Sequence, residues 1–108
     1  MEINVERWYK LSLVEQMGNI GSEVQRAFLW QKKEQSEQKE KSITRFLEMI
    51  DLTLADPRWQ KRCLEICRIR EVLCDYFLNN NKLGNSFENL INYFNAFALK
   101  ANAERLKN

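Results

Sequence analysis

Four runs of apolar residues recur at helical spacing along this chain, each bounded by residues that start or stop a helix, and that pattern restricts it to an all-α fold. In the first run, Ser12 with Glu15 three residues later makes a capping-box signature. Leu13, Val14, Met17, Ile20, Val24, Ala27 and Phe28 follow it, which predicts a helix over 13–33. The polar stretch KKEQSEQKEK has no apolar anchor and reads as a solvated connection or an exposed first turn. It leads into a second helix over 36–55, carrying Ile43, Phe46, Leu47, Ile50 and Leu54. Asp56 and Pro57 mark the next boundary: aspartate supplies an N-cap oxygen, and proline suits the first helical position because the N–H it lacks has no partner there. The third helix is expected to run from here to Leu78 with Trp59, Cys63, Ile66, Cys67, Leu73, Cys74 and Phe77 on one face. The run NNNKLGNS supplies turn and C-cap chemistry. Ser86 caps a fourth helix carrying Phe87, Leu90, Ile91, Phe94, Phe97, Ala98 and Ala101, with fraying expected from Glu104.

Four helices of about 18–22 residues with short links place sequential neighbours side by side, so the expected architecture is an antiparallel up-down four-helix bundle. Asn4 to Lys10, with Val5, Trp8 and Tyr9, adds a short helical turn or an arm over the bundle. At 108 residues the chain makes one domain. A tetratricopeptide-like reading of SITRFLEMIDLTLADP competes for the middle pair, but one such unit cannot bury its own face and no second copy is visible.

Charge and residue inventory narrow the chemistry. Lys and Arg number 17 against 15 Asp and Glu, a net charge of +2, which lacks the overall basic excess of a typical nucleic-acid binder. The chain contains no histidine, so Ser-His and Cys-His nucleophile pairs, a histidine base and histidine metal ligands are all absent, as is a GxxxxGK phosphate loop. Glu65, Glu71 and Asp75 interleave with arginines and read as a solvated, salt-bridged face. Neither an enzyme nor a cofactor or metal site is expected. The start MEINVERWYKLSL lacks the apolar run of a secretory signal, and no stretch is long and apolar enough to cross a membrane. Cys63, Cys67 and Cys74 lie at helical spacings that a disulfide cannot bridge, and they are expected as reduced core thiols in a cytoplasmic protein.

Four groups of residues stand out against this background. Gly18 and Gly21 interrupt the first helix at a cost of roughly 1 kcal/mol each, which close approach of another backbone, or a bend, would explain. Arg70 falls inside the apolar stripe of the third helix and needs an anion. A carboxylate from Glu23, Glu48 or Asp51, a snorkelling route to the rim, and a phosphate or carboxylate ligand are the three solutions. Arg58, Lys61, Arg62 and Arg68 point away from that stripe and form a candidate nucleic-acid-binding face, with Trp59 beside it for stacking; Lys32, Lys33, Lys39 and Lys41 offer a second basic set. Finally Leu29, Trp30, Met49, Leu52 and Leu99 fall outside the main stripes. With Gly18 and Gly21 they make candidate interface positions for a homo-oligomer or a larger protein partner.

A small bundle built around a segment such as NIGSEVQRAF, Asn19 to Phe28, resembles the bundle proteins encoded in ribosomal-RNA intervening sequences and the accessory variability proteins of diversity-generating retroelements. That resemblance covers size and architecture without a diagnostic motif. It implies self-association and RNA binding, and for the accessory proteins a reverse transcriptase partner. Arg68, Arg70 and Tyr76 are also similar to residues of higher-eukaryote-and-prokaryote nucleotide-binding bundles, whose nuclease motif carries a histidine after the arginine; this chain has none, so ribonuclease activity is not implied.

Overall fold

The computed structural model describes residues 3–107, with the side chains of residues 98, 101, 104, 105 and 107 outside that description. Five α-helices follow in order: α1 (Val5–Tyr9), α2 (Leu13–Lys32), α3 (Ser36–Ala55), α4 (Cys63–Leu78) and α5 (Phe87–Lys107), with a 3-10 segment, Pro57–Arg62, between α3 and α4. The Ser12 capping box forms as its spacing dictates: the hydroxyl accepts from the Glu15 N–H at 3.2 Å and the Glu15 carboxylate accepts from the Ser12 N–H at 3.1 Å. Asn4 caps α1 through its side-chain oxygen alone, which accepts from the Arg7 N–H at 3.1 Å. Among the described residues no helix is long and apolar enough to cross a membrane.

Cross-helix contacts set the topology. Gln16 of α2 meets Thr53 of α3 while Glu23 meets Arg45; Asp51 of α3 meets Arg70 of α4 while Phe46 meets Phe77. Glu65 of α4 meets Tyr93 of α5 while Tyr76 meets Phe87, and Phe94 and Phe87 of α5 close back on Gly21 and Phe28 of α2. Every pair runs in opposite directions, so the four long helices make an up-down-up-down ring with α2 and α4 on one diagonal. The core within it joins Met17, Ile20 and Val24 to Phe46, Ile50, Ile66, Leu73, Leu90 and Phe94, all nearly inaccessible to water.

Four sequence expectations change here. The third helix does not start as an α-helix at Pro57: residues 57–62 form tighter 3-10 turns, and Trp59 has non-helical backbone angles of −109° and 17°. The core stripe of α4 then runs through Ile66, Ile69, Leu73 and Phe77, rotated by roughly 50° from the expected one, because α4 fits a corner between α3 and α5. As a result Cys63 and Cys67 are exposed and Cys74 is half-buried, so they are not core thiols. Asp75, expected on the solvated face, is buried by the loop that follows α4. Its carboxylate accepts from the Lys82 and Leu83 N–H groups at 3.1 and 2.9 Å, and Asn80, Asn81 and Gly84 supply the positive φ angles that fold the loop over it. At the other end α5 continues as helix to Lys107, past Glu104, since ANAERLK contains no helix breaker. The expected core placement of Ala98 and Ala101 lies outside the described residues.

Candidate interaction surface

The four proposed phosphate contacts are used unequally. Arg58 is committed to the fold: one guanidinium nitrogen donates to the Tyr9 and Leu11 carbonyls at 2.8 and 3.0 Å, the group pairs with Asp56 at 2.7 Å, and it lies 4.5 Å from the Trp59 ring centroid. Asp56 caps the 3-10 segment through the Arg58 N–H, and its hydrogen bonds to Arg58 hold its carboxyl below the ordinary value despite burial. Arg62 pairs with Glu65 at 2.8 Å, and Glu65 accepts from the Tyr93 hydroxyl at 2.8 Å. Arg62 first and Tyr93 second keep the Glu65 carboxyl low, whereas burial and then Glu65 push the Tyr93 phenol well above its ordinary range. Lys61 and Arg68 remain exposed, with no ion pair among the described residues. The expected four-residue basic face is thereby reduced to two free cations.

Arg70 resolves its conflict at the rim. It pairs with Asp51 at 2.8 Å, and its side chain is 37% exposed. An ion pair this open contributes about 0–1 kcal/mol. The other two candidates are placed elsewhere: Glu23 is buried and bound by Arg26 and Arg45, and Glu48 is exposed along α3.

Gly21 is an intrachain contact, not an open interface position. A Cβ there would sit 2.5 Å from the Phe94 Cβ, so glycine is what allows α2 and α5 to touch. Gly18 is half-buried, and its carbonyl accepts from the Ser22 hydroxyl. Trp30 is half-buried under the Lys33 ammonium, 5.5 Å from the ring centroid, in a shallow hollow with Arg26 and Leu29. Met49 and Leu52 pack partly against the core, and Leu52 also lines a groove of about 480 Å³ with Ile3, Val5, Glu48 and Asp51. Leu99 is 71% exposed on α5. These positions are spread over three helices, α2, α3 and α5.

What the sequence reading missed is the outer side of α4 and its seam with α5. Leu64 is 88% exposed, and Leu78 and Leu83 at the far end of α4 and in the next loop are 61% and 62% exposed. Along their seam α4 and α5 leave a groove of about 260 Å³ floored by Ile69, Val72 and Leu90 and edged by Arg68, Asn89 and Tyr93. Leu64 and Leu78 could have been found from their position opposite Ile66 and Leu73 on the helical wheel. Among the described residues no group of three or more His, Cys, Asp or Glu is placed to hold a metal ion. The site these observations define belongs to an all-α bundle whose outer side on α4 carries exposed leucines at its two ends, with Arg68 and Glu71 between them. Comparison with known protein families, curated proteins and solved structures finds no match.

Proposed function

We propose that this chain is a non-catalytic interaction module that self-associates or docks on a larger protein through the outer face of α4 and the loop after it. The observation carrying this reading is the exposure of Leu64, Leu78 and Leu83, together with an apolar-floored groove along the α4–α5 seam, in a bundle whose core is already closed without them. Apolar side chains left outside a completed core, and a groove with an apolar floor and a polar rim, have the composition of an interface. Three free thiols fit a reducing compartment, and the cytoplasm is the location we propose.

Light scattering after size exclusion tests the reading. The expected mass exceeds the 13.0 kDa of one chain, and a Leu64→Ser, Leu78→Ser, Leu83→Ser variant returns to that mass with an unchanged helical spectrum. A wild-type monomer at every concentration, with no cross-linked protein partner lost in the triple variant, rejects it. Nucleic-acid binding is the second reading, kept by the free Lys61 and Arg68, and agrees with the RNA-associated bundles that the chain resembles in size. It predicts absorbance at 260 nm that co-elutes at low salt and is removed by added salt.

A further inference from the structure

Cys63, Cys67, Arg70 and Cys74 follow one another at four-, three- and four-residue steps along the α3-facing flank of α4, and the proposed docking surface uses none of them. Cys63 already has α-helical backbone angles of −56° and −45°, so it and Cys67 stand one turn apart on the same side, and both are exposed. Residues at this spacing hold their Cβ atoms about 5–6 Å apart. Two metal–sulfur bonds of roughly 2.3 Å each, the zinc–thiolate length, span about 4.6 Å when opposed, so the two sulfurs can grip one ion without disturbing the helix.

We infer that Cys63 and Cys67 form a chelating dithiol for one soft, low-coordinate cation, with Cu(I) as the ion whose charge and geometry fit. Thiolates select soft ions, and Cu(I) is content with two of them. Zinc would need four donors, and neither a histidine nor a third nearby thiol completes that set. Cys74 stands seven residues beyond Cys67 and is engaged by the Arg70 guanidinium, with Nη1 to Sγ at 3.9 Å. A bis-thiolate complex of a monovalent ion carries one negative charge. The Arg70 cation, which interacts electrostatically with both Cys67 and Cys74, lies on the same flank to offset it. Loading forms two S–Cu bonds and releases the two thiol protons to solvent, with no change in oxidation state.

The test is an anaerobic titration of fully reduced protein with Cu(I) in competition with bicinchoninate, read from the chelator's absorbance. One Cu(I) per chain is expected, with Cys63→Ser and Cys67→Ser each weakening binding at least tenfold and Cys74→Ser leaving it unchanged. All three positions lie outside the core, so thermal melts of the variants should match the parent and separate loss of metal from loss of fold. Three results overturn the assignment: no retention of Cu(I) against the chelator, equal weakening by Cys74→Ser, or half an ion per chain with a doubled mass, which would mean a bridge between copies.

Discussion

α2 and α4 occupy one diagonal of the same ring, and they spend their residues in opposite ways. α2 is enclosed by α3 and α5, and even its polar residues are drawn inside. Gln16 is fully buried, its amide donating to the Trp8 carbonyl at 3.0 Å and its oxygen accepting from the Thr53 hydroxyl and the Trp59 indole at 3.0 and 3.1 Å. One side chain therefore ties α1, α3 and the 3-10 segment to α2. α4 buries a narrow stripe, Ile66, Ile69, Leu73 and Phe77, and leaves leucine and two thiols in water. Stability is concentrated in α2 and available surface in α4, so substitutions on the two helices should separate folding from association.

The largest effect is expected at Gln16. Replacing it with leucine keeps the volume but removes three hydrogen bonds, each worth about 0.5–1.5 kcal/mol, and strands the Trp59 N–H, while the Trp8 carbonyl keeps the Leu11 N–H and the Thr53 hydroxyl keeps the Met49 carbonyl. A loss of about 3 kcal/mol, or roughly 10–20 °C in Tm, should appear in a thermal melt. In a double-mutant cycle, coupling between Gln16→Leu and Trp59→Phe should exceed about 0.5 kcal/mol. Additive effects there would mean that the indole bond to Gln16 contributes nothing.

Next comes Gly21→Ala. Helix propensity alone favours alanine by about 1 kcal/mol, whereas forcing a methyl against the Phe94 Cβ is overpacking of the kind that costs about 1–3 kcal/mol. The expected net is a destabilisation of up to about 2 kcal/mol by urea denaturation. A stabilised variant would show that α5 can move away from α2 without loss.

A smaller effect follows from acid. Asp56 and Glu65 have carboxyl groups held below their ordinary values of 3.8 and 4.5, in each case chiefly by hydrogen bonds to an arginine. Groups lowered in the folded state bind protons more readily when unfolded. Their stabilisation is full above the unfolded values and is lost as pH falls through the folded ones. Melting temperatures should hold from pH 7 to about 5 and decline below about 4, and Asp56→Asn should flatten part of that decline. A decline equally steep in Asp56→Asn would assign it to other carboxylates.

How much of this was legible in the sequence follows the same diagonal. Where local chemistry decides, as in the Ser12 capping box, the Asp56 cap and the residue stripes of α2 and α3, the sequence reading and the structure coincide. Where a distant segment decides, it does not. Asp75 is buried by a loop, Gln16 needs acceptors and donors from three other segments, and the face of α4 depends on a 3-10 entry and on two neighbours that no helical wheel contains. Arg70 shows both halves at once: its need for an anion was readable, with Asp51 among the three candidates and the rim among the solutions, but the choice between them came from the rotation of α4.

The smallest stability effect should come from the positions that matter most for the proposed function. Leu64 is 88% exposed, so a serine there removes almost no buried area, and surface changes of this kind usually fall within about 0.5 kcal/mol. If α4 is an association surface, Leu64→Ser should shift the concentration at which oligomers dissociate while leaving the monomer's melt in place. An apolar side chain passing from water into an interface is worth about 1.5–3 kcal/mol, which corresponds to roughly tenfold or more in a dissociation constant. The same substitution on a face that stays wet in the assembly changes neither quantity. Sedimentation equilibrium of the parent and of Leu64→Ser separates the two cases, and an unchanged dissociation constant would move the interface off the outer face of α4, toward the groove that Leu52 lines beside α3.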